Sequence, residues 1–394
     1  MTFSAADPIV ILSYARTPIG SFQGALSGAS ATELGATAVR AAVERAGVNG
    51  EDVDRVYMGC VLPAGLGQAP ARQAAIGAGL PTSVEATTVN KVCGSGMQAA
   101  IMGAEALAAG SVDLVVAGGM ESMTNAPYLL KKHRGGARLG HDTAYDHMFL
   151  DGLEDAYEPG RAMGTFAEDT AREYQFTRAG QDDYAVRSLT RAQAAQADGS
   201  FDREIVAVEV TTRKGTVTVD RDEQPAKGDV AKIPTLKAAF AKEGTITAAN
   251  ASSISDGAAA LVLARESSGG KAVARIVAHA AHAHAPKDFT TAPVNAIRKL
   301  LDKAGWSVDD VDLFEINEAF ACVPMIAVRE LGIDEDKLNI HGGGTSLGHP
   351  IGASGARIIA TLLGALEKTG GRKGVASLCI GGGEATALAV EMVG

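Results

Sequence analysis

The chain has 394 residues, 46% hydrophobic and 21% charged, which is enough for two packed cores and a smaller third lobe. A formal net charge of −10 argues against nucleic acid or an anionic membrane as a partner. Four cysteines lie far apart, at 60, 93, 322 and 379, with no CxxC pair and no histidine at metal-ligand spacing, so neither a disulfide framework nor a metal site is expected.

Residues 1–20 lack a basic start and carry only the short apolar run 9–12, so no signal peptide is expected, and no later stretch is apolar enough to span a bilayer. The resulting expectation is a cytoplasmic, reducing location. Further on, the chain repeats itself. Residues 38–54 read AVRAAVERAGVNGEDVD and residues 296–312 read AIRKLLDKAGWSVDDVD, aligned without gaps and sharing Arg40/Arg298, Gly47/Gly305 and Asp54/Asp312. Each copy predicts an amphipathic helix stopped at glycine and then a short strand, 55–58 in one and 313–316 in the other. Ser95-Gly96 and Ser354-Gly355 then open Ala-rich helices, followed by strands at 114–117 and 375–380. This alternation predicts an α/β protein with parallel sheet covered by helices, in two related halves, 1–121 and 272–394.

Residues 122–250 break the pattern and predict an inserted loop domain. It holds a basic cluster (Lys131, Lys132, His133, Arg134), a charged helix-like run at 181–197, and a polar stretch at 217–227 that reads as loop. The basic cluster suits a solvated loop, or else a contact for phosphates or a neighbouring subunit. The stretch 245–264 reads as a return into the first half's sheet, which assigns 251–271 to that half.

Four short stretches carry chemistry. Cys93 sits in VNKVCGSG, where a strand-like piece meets a helix-like one; a thiol at a helix's first turn faces unpaired N–H groups that favour its thiolate. Taken alone, it also reads as a buried core thiol. Asn317-Glu318-Ala319-Phe320 ends the repeated strand, where open α/β sheets place ligand groups, although Asn317 and Glu318 also suit a helix cap. His349 stands between Gly348 and Pro350 in a glycine-rich run, an aimed imidazole fit for acid–base work. Cys379 precedes Ile380-Gly381-Gly382-Gly383, whose N–H groups suit an oxyanion, with a core thiol as the plainer reading. The duplication brings equivalent edges together, so Cys93, Asn317, His349 and Cys379 can converge as nucleophile, base and second acid–base. Such a set suits acyl transfer with carbon–carbon bond formation or cleavage.

With ARTPIGSFQGALS (15–27), VNKVCGSGMQA (89–99), AGGMESM (117–123), AANAS (248–252), NEAF, GHPIGASGAR (348–357) and CIGGG, the chain resembles the thiolase family along nearly its whole length. The resemblance implies the five-layered αβαβα thiolase fold, with duplicated βαβαβαββ halves, an inserted loop domain and assembly as a homotetramer or dimer. It also implies reversible Claisen condensation of two acetyl-CoA to acetoacetyl-CoA and CoA through an acetyl-cysteine. Coenzyme A is then a substrate and product, and neither a cofactor nor a metal is needed. By the same resemblance Cys93 is the nucleophile, His349 activates it, and Cys379 moves the α-proton. The N–H groups of Cys93 and Gly381 form one oxyanion hole, and His349 with a water held by Asn317 forms the other. Ser252 would contact pantetheine, and Met163, Leu153, Phe289, Ala319 and Phe320 would line the pocket. Segment 126–140 is similar to the loop through which relatives tetramerise. Phe289 and 339–343 resemble the branch of the family that accepts 2-methyl substrates. The alternatives are a broader 3-ketoacyl-CoA thiolase of fatty-acid degradation, a ketoacyl synthase, or a non-catalytic carrier of the same fold.

Overall fold

The computed structural model describes residues 7–393, so residues 1–6 and 394 of the two expected halves, and the first six residues of the expected leaderless start, lie outside it. In chain order the first half gives β1 (Ile9–Arg16), α1 (Ala31–Ala46), β2 (Arg55–Gly59), α2 (Pro70–Gly77), β3 (Glu85–Val89), α3 (Ser95–Ala108) and β4 (Leu114–Ser122). The segment between β4 and the strand Ser255–Arg265 that pairs with it holds α4 (Met163–Glu173), α5 (Arg178–Ala197), strands β5 (Val208–Thr212) and β6 (Gly215–Val219), and the short α6 (Glu223–Lys227). The stretch expected to be loop, 217–227, is therefore the end of a hairpin and a helix turn. Alternating Thr and Val at 215–219 pair with β5 across a two-residue turn, a period-two signal that polar composition masked. Strand β7 (Ser255–Arg265) then returns to the first sheet.

The second half follows with β8 (Ala274–Ala283), α7 (Ala292–Ala304), β9 (Leu313–Ile316), α8 (Cys322–Leu331), the one-turn α9 (Gly344–Leu347), α10 (Ser354–Thr369), β10 (Lys373–Ile380) and β11 (Glu384–Met392). Strand order runs β3-β2-β4-β7-β1 and then β8-β11-β10-β9, the two runs meeting where 9–11 pair with 274–276. Pairing is parallel at β3/β2, β2/β4 and β9/β10 and antiparallel elsewhere. The sheet is thus mixed rather than parallel. The turn 381–383 is too short for the crossover that parallel strands need, so β10 and β11 must run antiparallel.

Helices α1 and α2 cover one face of the first sheet, α3 and α10 lie between the two runs of strands, and α7 and α8 cover the far face of the second. That is the five-layered αβαβα arrangement. The repeated glycines do the same work in each half: Gly47 (φ +65°) and Gly305 (φ +68°) end α1 and α7 in the left-handed conformation that other residues resist. The duplication is not complete. Where β3 stands in the first half, the second has a single bridge, Phe314 to Leu338. Asn339, at φ +46°, takes over the ladder's role with its side chain, accepting from the Ile316 N–H at 2.8 Å and donating to the Ile316 carbonyl at 2.8 Å. Among the described residues no helix is long and apolar enough to cross a membrane.

Where α3 and α10 cross, their N-termini touch through glycine. A Cβ on Gly355 would lie 2.3 Å from the Met97 nitrogen, and one on Gly96 would lie 2.7 Å from the Ala356 nitrogen. This close approach joins the Cys93 loop, just before α3, to the His349 loop, just before α10.

Candidate active site

Cys93 stands one residue before the Gly94 N-cap of α3, in a turn held by Ser95: its Oγ accepts from the Lys91 N–H at 2.8 Å and donates to the Val92 carbonyl at 2.6 Å. The turn places Val92 at φ +46°, a conformation that costs a β-branched residue about 1–3 kcal/mol and that clusters at functional sites. Lys91 forms an ion pair with Glu384 at the start of β11, tying this loop to the second half. Gly94 packs on Ile380, where a Cβ would lie 2.4 Å from Ile380 Cδ1.

Enclosure decides the state of the thiol. Burial pushes Cys93 up to about 11, against the N–H of Gly381 and its own N–H, which face the sulfur and pull it down; the buried Glu121 adds to the rise. The expected gain of thiolate from the helix terminus is therefore outweighed, and Cys93 rests as a thiol. Cys379, at the end of β10, lies close enough for the two thiols to feel each other's charge; burial first, then Cys93, hold it well above an ordinary thiol.

His349 is 6% exposed, and burial, followed by the buried Arg357, lowers it to about 3, so the ring is neutral at physiological pH. Its Nδ1 lies 2.5 Å from Ser354 Oγ, and that hydroxyl donates its one hydrogen to the Pro350 carbonyl at 2.9 Å. With the Ser354 hydrogen directed to the Pro350 carbonyl, the ring donates from Nδ1 and keeps the Nε2 lone pair available. Asn317 follows β9 and lays its amide over the ring, with Nδ2 3.5 Å from both ring nitrogens, while its Oδ1 accepts from Arg357 Nη2 at 3.3 Å.

His349 lines a largely apolar cleft of about 440 Å³, and Cys93 packs against three of its wall residues, Met123, Met148 and Ile351. Of the expected site residues, Leu153, Met163, Ser252, Phe320 and His349 line it. Met163 opens α4 and faces Gly381, its sulfur 3.6 Å from where a Cβ on that glycine would lie. The Ser252 N–H donates to the Ala319 carbonyl at 2.9 Å, so Ala319 supports the cleft through its backbone. Phe289 does not line the cleft: it is buried behind Phe320, ring centroids 6.5 Å apart, and edge-on to Phe166 at 6.4 Å.

The sequence reading passed over several wall residues. Met123, Met148 and Ile351 line the cleft and pack with Val61 and Leu62 in a small core against which Cys93 rests. Phe240 crosses the N-terminus of α4 so closely that a Cβ on Gly164 would lie 2.3 Å from its ring. Met123 and Ile351 sit inside the AGGMESM and GHPIGASGAR stretches and Gly164 adjoins Met163, whereas Met148 and Phe240 look like ordinary core positions.

Comparison with known proteins agrees with this architecture. The model of the thiolase N-terminal domain matches residues 9–267, and that of the thiolase C-terminal domain matches residues 270–392. The chain belongs to the thiolase family. This thiolase is 50% identical over 395 aligned residues to "Acetyl-CoA acetyltransferase 1" of Arabidopsis thaliana, covering 98% of this chain and 94% of the relative. It is 49% identical to "Acetyl-CoA acetyltransferase" of Rhizobium meliloti over 97% of this chain and 98% of the relative. It is 46% identical to the protein of that name from Saccharomyces cerevisiae over 98% and 99%.

Proposed function

We propose that this thiolase is an acetyl-CoA C-acetyltransferase, an acyltransferase that interconverts acetoacetyl-CoA plus CoA and two acetyl-CoA through acetyl-Cys93. The observation that carries the reading is the gathering of Cys93, the Gly381 N–H and Cys379 beside the wall of an apolar cleft that a neutral His349 lines. In thiolysis His349 Nε2 takes the Cys93 proton as the sulfur attacks the 3-keto carbon. The C2–C3 bond then breaks, and Cys379, resting as a thiol, gives its proton to the departing acetyl-CoA enolate. The Cys379 thiolate next takes the proton of incoming CoA, whose sulfur attacks acetyl-Cys93. Cys93 leaves as its own proton returns from His349. The N–H groups of Cys93 and Gly381, which face the sulfur, take the oxygen of the acyl-cysteine in this reading. The thioester oxygen on the other side falls to His349 with a water held by Asn317.

The short acyl chain is read from Met163, Met148 and Ile351 closing the cleft beside Cys93. The test is thiolysis of acetoacetyl-CoA beside its 2-methyl and longer 3-ketoacyl analogues. A kcat/KM preference for acetoacetyl-CoA of at least tenfold is expected, and Cys93→Ser should abolish turnover; equal rates on long chains would favour a degradative thiolase instead. We further read the chain as a cytoplasmic homotetramer active in fatty-acid metabolism. Four free cysteines suit a reducing compartment, and the arm pairing Tyr128–Leu129 with Tyr145–Asp146 exposes Tyr128, Leu130 and Leu139 beside the basic cluster. Light scattering of Leu130→Asp should report smaller assemblies.

A further inference from the structure

Glu121 lies in the AGGMESM stretch, is fully buried near the end of β4, and has no part in the steps above. Its carboxylate gathers donors from two separate loops. From the first half, the Val61 N–H donates to Oε2 at 3.0 Å, the Leu62 N–H to Oε1 at 3.1 Å, and the Cys60 thiol approaches Oε1 at 3.7 Å. From the second half, the Gly352 N–H donates to Oε2 at 2.8 Å. Gly352 is three residues after His349 and two before Ser354, in the short turn that carries both.

Glycine makes this joint possible on both sides. A Cβ on Gly352 would lie 2.6 Å from Glu121 Oε2. The Gly352 carbonyl lies against Gly59, at the end of β2, and Gly119, within β4, where added Cβ atoms would lie 2.6 and 2.1 Å from it. The His349 turn is thus laid on the bare backbone of the other half and pinned there by one carboxylate. The pinned 60–62 turn also carries Val61 and Leu62 of the core that backs Cys93.

We propose that Glu121 is a positioning residue for the reaction: it clamps the His349 turn of the second half to the 60–62 turn of the first, and so sets His349 Nε2 against Cys93. This deepens the proposed function, since it rests on His349 being the base for Cys93. Glutamine is the informative replacement because its size is kept while one acceptor oxygen becomes an NH₂ facing backbone N–H groups.

The experiment measures two things on Glu121→Gln, on Gly352→Ala, which crowds the same joint from its other side, and on the pair. The first is thiolysis of acetoacetyl-CoA. We expect kcat to fall at least tenfold with KM within about threefold, and the double variant to lose little more than the worse single one. The second is alkylation of Cys93 by iodoacetamide at pH 8.5, where Glu121 is ionised, followed by mass spectrometry of its peptide beside a His349→Ala control, which needs no turnover. Removing a negative charge alone would speed alkylation, whereas losing the base's aim slows it. Slower alkylation in Glu121→Gln, matching His349→Ala, is the expected result; faster alkylation, unchanged kcat in folded protein, or additive losses in the pair overturn the clamp. If Glu121→Gln fails to fold, Gly352→Ala alone decides by the same two readings. Parent protein without thiolysis but with His349-dependent alkylation would sink the proposed function and leave the clamp standing.

Discussion

At His349 the position of one proton turns on a neighbour outside the proposed acid–base pair. Ser354 spends its hydrogen on the Pro350 carbonyl and so accepts from Nδ1. Ser354→Ala removes that acceptor and lets the ring turn or change tautomer. We expect kcat to fall by about 10²-fold, the lower end of what a positioned acid–base group contributes, with little change in KM. Steady-state kinetics checks this, and loss confined to KM would refute the tautomer argument. His349 and Cys93 were legible in the sequence because each sits in an unusual frame of glycine and proline. Ser354, Glu121 and the strained Val92 were not: a serine that opens a helix, a glutamate that ends a strand and a valine beside a cysteine have common structural explanations. Contacts across 5 and 231 residues of chain give Ser354 and Glu121 a role at the site, and Val92 shows its strain only in the folded backbone.

The elements themselves followed from local physics. Helix stops at Gly47 and Gly305, the strand at 313–316 and the helix starts at Ser95 and Ser354 were all readable from period, caps and repeat. Two were not. In the β5–β6 hairpin only β5 turns a face inward, through Val208 and Val210, while 215–218 of β6 are exposed, so the polar second strand reads as loop. The missing counterpart of β3 depends on the Asn339 side chain reaching Ile316, a contact no periodicity reports. The crossing of α3 and α10 offers the clearest test at this scale. Gly355→Ala drives a methyl into the Met97 backbone, and because backbone cannot rotate away the helices must part. Overpacking of this kind costs about 1–3 kcal/mol. Urea unfolding should show that loss, with kcat reduced as the Cys93 and His349 loops separate; full stability would mean the crossing is loose.

Across the whole molecule, one buried carboxylate helps tie the 122–250 segment to the second half. Glu318 accepts from Tyr184 at 2.8 Å and Ser188 at 2.7 Å on α5, from Asn339 at 2.9 Å, and from the N–H and hydroxyl of Thr345 at 3.1 and 2.6 Å. Glu318→Gln leaves at least one of these buried donors unmatched, a cost of about 1–3 kcal/mol, and frees the neighbouring Asn317. Both lower unfolding midpoint and lower kcat are expected.

Stability against pH is also a property of the whole. Burial lowers His349 to about 3 and His341 to about 4, so the unfolded chain takes up protons that the folded one refuses, and their contribution is lost as pH falls below about 6.5. Burial raises Glu121 to about 7 and Glu315 to about 8, so their contribution is present below about 4.5 and lost as pH rises through those values. The two sets oppose each other, and Tm should peak on the acid side of neutrality. A Tm that climbs steadily from pH 5 to 8 would contradict this balance.

By itself the sequence determined the α/β class, the duplication, the family resemblance and the loops that carry candidate chemistry. All of these are written in local period, turn residues and repeated motifs. Tertiary structure alone decided that Cys93 rests as a thiol, that Phe289 stands behind the cleft wall, and which nitrogen of His349 is free. Burial, desolvation and long-range hydrogen bonds set those properties, and none exists until the two halves close on each other.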